Sequence, residues 1–71
     1  MIFKKGDLVE IFERGKNIAS LFFPIQKNLL GILVKNIETN LWIIYFPTSN
    51  YFLRFFEFEF KQAKLKNEPP K

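Results

Sequence analysis

Neither cysteine nor histidine occurs among the 71 residues of this chain. Without cysteine it has no disulfide bonds, thiolate metal sites or cysteine nucleophiles, and without histidine it lacks the most common general base and metal ligand. Asp7 is the only aspartate, which argues against a carboxylate metal cluster, and the three glycines lie too far apart for a phosphate-binding loop. The composition therefore predicts a chain with no catalytic activity, no cofactor and no metal site.

Long hydrophobic runs are also missing. The longest ones, Ile18–Ile25, Leu29–Val34 and Leu41–Phe46, fall well short of the ~18 apolar residues that a transmembrane helix needs. The first residues, Met1–Asp7, lack the order of a signal peptide, in which positive charge precedes an apolar segment. We therefore expect a protein that is not secreted and has no transmembrane span, located in the cytoplasm or in a viral or membrane-peripheral assembly.

Apolar side chains, by contrast, are in excess. They make up 48% of the residues, and aromatic residues make up 18%, including ten phenylalanines. A domain of this size buries only about 60 % of its unfolded surface, and in a small barrel roughly every second strand residue faces inward. Part of the apolar surface is therefore expected to contact a larger protein assembly or a second copy of the chain. The alternative is a crowded core with loops folded over it.

Positive charge is concentrated near the C-terminus. Residues 61–71 hold four lysines and one glutamate, a net charge of +3, whereas residues 1–60 hold seven basic and six acidic side chains, a net charge of +1. We expect a folded domain over residues 1–61 and a flexible, lysine-rich tail over residues 62–71. The nearly neutral body argues against a nucleic-acid surface on the domain itself, because such surfaces are basic.

Four apolar segments bounded by turn residues are predicted to be β-strands: Leu8–Glu13, Gly31–Ile37, Leu41–Phe46 and Tyr51–Phe60. Residues 14–30 are predicted to form one long loop, because Pro24 opposes both a helix interior and a central strand. A short edge segment around Leu21–Phe23 is an alternative within that loop. The last strand is either continuous or split by a short helical turn.

Strict alternation marks residues 56–60, which read Phe-Glu-Phe-Glu-Phe. A period of two predicts a strand with the phenylalanines on one face and the glutamates on the other. Glu57 and Glu59 would then share a face, where a pair of carboxylates can act in acid–base chemistry. A solvated strand face is the favoured interpretation, since no cleft or partner base accompanies them.

These signals predict an all-β fold, a small antiparallel barrel of four to five strands with one long loop and the flexible basic tail. The order of the motifs resembles SH3-like barrels, which open with a Lys-Gly strand, continue through a long loop and resume at a glycine. The matching segments here are Lys5–Ile11, Gly31–Ile37 and Trp42–Phe46.

Within that class the chain resembles the small O subunit of the photosynthetic NAD(P)H dehydrogenase-like complex. The segments that carry this resemblance are Lys4–Val9, Phe23-Pro24, Gly31 and Pro47–Arg54. Small phage barrel proteins, with a Lys-x-Gly-Asp-Leu-Val opening and an aromatic-Phe-Pro segment, are about equally similar. Both resemblances imply an accessory subunit that docks on a larger assembly, either a photosynthetic membrane complex or a phage particle.

Two groups of residues are the predicted partner contacts. The first lies in the long loop and the second on what we take as the outward side of the third and fourth strands, with Arg54 turned toward solvent because a buried guanidinium needs a partner. The predicted contact residues are Leu21, Phe22, Phe23, Pro24, Tyr45, Tyr51, Leu53, Arg54 and Phe55.

Binding of single-stranded nucleic acid is the alternative function, because small barrels can stack bases on exposed aromatic rings beside cationic side chains. The candidate rings are those of Trp42, Tyr45, Tyr51 and Phe55, and the candidate cations are Lys27, Lys35 and Arg54. Peripheral membrane contact through Phe22, Phe23 and the lysine tail is a further option.

Overall fold

The structure, a computed structural model, describes residues 3–25 and 28–63. Its elements in chain order are β1 (Leu8–Ile11), α1 (Glu13–Ala19), β2 (Leu30–Glu38), β3 (Leu41–Phe46), β4 (Tyr51–Phe56), a 3₁₀ helix (Glu57–Glu59) and β5 (Phe60–Gln62).

The five strands form one antiparallel sheet in the order β4-β3-β2-β1-β5. The long connection between β1 and β2 carries α1, tight turns join β2 to β3 and β3 to β4, and the 3₁₀ helix separates β4 from β5. The predicted fold class, a small antiparallel all-β domain of four to five strands, is confirmed, and the arrangement fits an SH3-like fold. The sheet is not closed into a barrel, so β4 and β5 form its two edges among the described strands.

The pairing of β3 with β4 sorts the side chains onto two faces. Residues directly opposite in an antiparallel pair lie on the same face; Trp42 faces Phe55, and Tyr45 faces Phe52. One face, the inner face, covers the core, although Tyr51 at the start of β4 is exposed on it. The other, the outer face, carries half-buried and exposed side chains. The core residues are Val9, Ile11, Ala19, Phe23, Leu29, Leu33, Trp42, Ile44, Phe46, Phe55 and Phe60.

The prediction of one long loop over residues 14–30 is wrong at its start, where α1 forms. This helix has no side-chain cap at Phe12, so no capping motif announces it in the sequence. Gly15 and Ala19, four residues apart, form its buried face. A β-carbon at Gly15 would overlap Cγ2 of Ile11 on β1 and lie 3.2 Å from Cε1 of Phe55. The helix therefore depends on a small residue that lets it approach the sheet. Leu21–Phe23 forms a turn rather than an edge strand.

The prediction of a strand with all three phenylalanines on one face over residues 56–60 is also wrong. Residues 57–59 form the 3₁₀ helix, which bears out the alternative of a helical turn that splits the last segment. Phe60 is buried, whereas Phe58 is 66% exposed. The two glutamates form hydrogen bonds: Oε2 of Glu57 accepts one from Nε1 of Trp42 at 2.7 Å, and Oε1 of Glu59 accepts one from the Phe56 amide at 3.0 Å.

Two boundaries of the observed strands differ from the predicted ones. β1 ends at Ile11, two residues earlier than predicted, and β5 reaches Gln62, the first residue assigned to the tail. The amide of Ala63 donates to the carbonyl of Leu8 at 2.9 Å and extends the pairing of β1 with β5 by one residue. The remainder of the predicted tail, residues 64–71, lies outside the described residues.

Candidate docking surface

A hydrogen-bonded turn follows α1 and holds the first group of predicted contact residues. The amide of Leu21 donates to the carbonyl of Ile18 at 3.1 Å, and the amide of Phe22 donates to the carbonyl of Ala19 at 2.9 Å. The hydroxyl of Ser20 donates to the carbonyl of Asn17 at 2.8 Å. These bonds fix the backbone, so the side chains of Leu21 and Phe22 leave the turn in set directions.

Phe23 anchors this turn to the sheet. Its ring is buried, with its centroid 5.6 Å from that of Phe46 and 5.3 Å from that of Tyr51. Pro24 is exposed and lines a cavity of about 430 Å³ together with Leu29 and Thr48. Phe23 is therefore a core residue that orients the neighbouring contact residues, and its own ring is not available on the surface.

The start of β4 completes a contiguous apolar surface. Tyr51 faces Phe46 across the β3–β4 pair, at the end of a turn in which the Asn50 amide donates to the carbonyl of Phe46 at 2.7 Å. The ring of Phe22 lies 6.2 Å from that of Tyr51. Leu21 is 80% exposed, Phe22 50% and Tyr51 41%. We call Leu21, Phe22 and Tyr51 the loop-end patch; its side chains are apolar except for the Tyr51 hydroxyl.

A second aromatic surface lies on the outer face of the sheet. The rings of Tyr45 and Phe52 are 4.8 Å apart, and Phe52 is 58% exposed. Next to this pair, Ile43 faces Lys35 on one side and Arg54 on the other, and both cations are exposed. A groove of about 480 Å³ is lined by Ile37, Ile43, Phe52, Leu53 and Arg54.

The predicted outward side of the third and fourth strands is divided between two faces. Tyr45 and Arg54 lie on the outer face, whereas Tyr51, Leu53 and Phe55 lie on the inner face. Phe55 is buried and Leu53 is half-buried against the core, so the prediction of Phe55 as an exposed contact is wrong. The alternation of a strand places residues 51, 53 and 55 on one face but does not say which face is buried. In the structure α1 packs over Phe55, and this set faces inward.

Phe52 is an exposed ring on the outer face that the predicted contact set does not include. Arg54 is exposed, as predicted, and the register of β4 on β3 is continuous. Phe52 lies two residues before Arg54, and residues two apart in a strand share a face. A solvent-facing Arg54 therefore predicts an exposed Phe52. Trp42 and Phe55, two of the rings proposed to stack with bases, are buried.

The carboxylate of Asp7 links the turn before β1 to β5. Asp7 accepts hydrogen bonds from the Lys4 amide at 3.0 Å and from Nε2 of Gln62 at 2.8 Å. The bond from the Lys4 backbone is the main cause that keeps the pKa of Asp7 below its ordinary value. Among residues 3–25 and 28–63, no cluster of three or more acidic side chains is placed to bind a metal ion.

No protein-family model, curated protein or solved structure gives a significant match to this chain. Over the described ranges, no helix has the length and apolar character needed to cross a membrane.

Proposed function

We propose that this chain is a non-catalytic accessory subunit that docks on a larger protein assembly through the loop-end patch. The observation that carries the proposal is the exposure of Leu21 and Phe22 on a turn held by backbone hydrogen bonds. Adjacent exposed apolar side chains are typical of interaction sites. A preformed turn also reduces the entropy that is lost when a partner binds.

The chemistry of the patch defines the partner surface that fits it. Its three side chains carry no charge, and Tyr51 adds one hydroxyl at its margin. The complementary surface is an apolar depression with a hydrogen-bonding group at its rim, the usual anatomy of a protein interface. Because burial of apolar area drives this contact, its affinity should change little with salt. The relationship to the O subunit or to phage barrel proteins stays a prediction.

The test compares two phenylalanines of similar exposure. Tagged wild type, Phe22→Glu and Phe58→Glu are expressed in source cells, and the mass of the tagged species is measured in nuclease-treated extract at low and high salt. We expect wild type and Phe58→Glu to migrate in a large complex at both salt concentrations, and Phe22→Glu to leave it. Circular dichroism of the purified variants confirms that both remain folded.

Two results would contradict the proposal. One is wild-type protein that migrates at the mass of the free chain or its own oligomer in extract. The other is an equal loss of the large complex in both variants, since Phe58 lies on the 3₁₀ helix rather than on the α1 turn.

The outer face supports a second candidate function, the binding of single-stranded nucleic acid. The supporting observation is the Tyr45–Phe52 ring pair beside the exposed cations Lys35 and Arg54, the combination that stacks bases and contacts phosphates. In fluorescence anisotropy with a labelled oligothymidine, this function requires binding that weakens steeply with salt and is lost in Phe52→Ala. Binding that is absent at low salt, or unaffected by Phe52→Ala, excludes this candidate.

A further inference from the structure

We propose that two copies of this chain pair along the β4 edges and form a dimer with one defined register. This inference goes beyond the docking function, because it concerns the free backbone edge of β4, which shares only Tyr51 with the loop-end patch. Within residues 3–25 and 28–63, β3 is the only strand that pairs with β4. The outer edge of β4 therefore presents backbone donors and acceptors to another strand.

β4 lacks the features that normally prevent edge pairing. It is six residues long, has no proline and carries one charge, that of Arg54, and its register on β3 shows no bulge. β5, the opposite edge, has only three residues and includes Lys61. Short strands and lysines protect sheet edges. Antiparallel pairing of β4 with its own copy is therefore favoured over pairing of β4 with β5, and it closes the assembly as a dimer.

Electrostatics then selects the register. In such a dimer a twofold axis perpendicular to the sheet keeps the outer faces of both copies on the same side. The axis can pass beside Leu53 or beside Arg54, so that this residue lies opposite its own copy. Only these two registers pair five residues of each β4. Centring on Arg54 would place two guanidinium groups directly opposite each other, which is unfavourable. Centring on Leu53 places Phe52 opposite the partner's Arg54, twice in each dimer, a cation–π arrangement.

The outer face has space and an available cation for this register. In the described part of the chain Arg54 makes no salt bridge. The groove of about 480 Å³ beside it is lined by Ile43 and Phe52 among others. In the Leu53-centred register the partner's Phe52 lies beside Arg54 on the side away from Ile43, so its ring can pack against the Arg54 side chain that borders this groove.

Charge variants of Phe52 test the pairing. Sedimentation equilibrium over a concentration series gives the dimer dissociation constant for wild type, Phe52→Lys, Phe52→Glu and the double variant Phe52→Lys/Arg54→Glu. Phe52→Lys places two cations together and should weaken the dimer by about tenfold or more. Phe52→Glu faces the partner's Arg54 and should stay within about threefold of wild type. The double variant should recover most of the loss, since it restores opposite charges.

Leu30→Lys is the matched control, because Leu30 is exposed on the outer face of β2 and the substitution changes net charge equally. It should leave the dissociation constant unchanged. Wild-type protein that is monomeric at all concentrations, or that associates without limit, overturns the proposal. Equal weakening by Phe52→Lys and Leu30→Lys, or by Phe52→Lys and Phe52→Glu, also overturns it.

The register is tested by cross-linking, which is possible because the chain has no native cysteine. Under mild oxidation Leu53→Cys should form a disulfide-linked dimer, and Arg54→Cys should not. Efficient cross-linking of Arg54→Cys alone overturns the proposed register. Phe22→Glu, which removes the docking function, should leave the dimer intact, so failure of one proposal is distinguishable from failure of the other.

Discussion

Two glycines determine how closely the sheet can be covered. Gly31 on β2 lies beneath Phe46, and a β-carbon there would come within 2.9 Å of ring atom Cε1. Gly15 on α1 lies beside Phe55 in the same way. In both positions an isoleucine methyl group lies nearest to the place of a β-carbon, that of Ile11 at Gly15 and that of Ile44 at Gly31, and the aromatic ring lies next to it. Close packing of this kind explains how a 71-residue chain buries several aromatic rings.

Asp7 should give the domain a stability that depends on pH. Its side chain is 13% exposed and binds Lys4 and Gln62, which keeps its pKa below the ordinary value of 3.8. A carboxylate with a lowered pKa contributes stability above its unfolded-state pKa and loses it as the pH falls through its folded-state pKa. We therefore expect Asp7→Asn to lower the urea midpoint at neutral pH, and the gap to wild type to narrow below about pH 4.

Urea titrations of both proteins from neutral to acidic pH measure that gap. Glu13→Gln serves as the control, because the Glu13 carboxylate is 83% exposed, and its difference from wild type should be small throughout. A gap between Asp7→Asn and wild type that widens as the pH falls would contradict the assignment.

The 3₁₀ helix is held to the sheet by partners far away in the sequence. The Glu57 amide donates to the carbonyl of Asn40 at 2.7 Å, and its carboxylate accepts from Nε1 of the buried Trp42 at 2.7 Å. Asn40 lies in the turn between β2 and β3, and Trp42 lies at the start of β3. The segment therefore takes its conformation from contacts with β3 and the preceding turn rather than from its alternating sequence.

Removing the Glu57 carboxylate should destabilise the domain through Trp42. In Glu57→Ala the indole N–H loses its partner, and an unsatisfied donor of this kind costs about 1–3 kcal/mol. Glu57→Gln keeps an acceptor oxygen and should lose less than half as much. Chemical denaturation of both variants measures the difference, and tryptophan fluorescence reports the same site directly. Equal losses in the two variants would show that the hydrogen bond has no role.

β5 joins the two ends of the described chain into one structure. Phe60 faces Ile11 across the β1–β5 pair, and its ring lies 4.9 Å from that of Phe3. The order of strands places this contact at the edge opposite β4. The cooperativity of the whole domain therefore depends on a three-residue strand.

Phe60→Ala should bring the domain close to unfolding. Truncation of a buried phenylalanine costs about 3–5 kcal/mol, a large part of the ~5–15 kcal/mol that stabilises a typical domain. Phe58→Ala, two residues away and exposed, should cost less than about 1 kcal/mol from its stacking on Phe56. Thermal unfolding monitored by circular dichroism measures both. Similar losses would indicate the alternating strand that the sequence alone suggested.

The sequence by itself determined the all-β class and the approximate positions of β2, β3 and β4. Branched and aromatic residues concentrate in these segments, and Asn40 and Asn50 follow them with positive φ in the turns. These are local properties, so they can be read from neighbouring residues. They also locate Leu21, Phe22 and Tyr51 as candidate contacts, although not as one patch.

The tertiary structure alone decided three features. The direction in which β4 faces could not be read from its sequence, because both of its faces are apolar and a period of two does not say which set is buried. α1 packs through Gly15 against Ile11 and the distant Phe55, and the 3₁₀ helix is bonded from Glu57 to Asn40 and Trp42. In each case the deciding partner is distant in the chain, and only folding brings the two together.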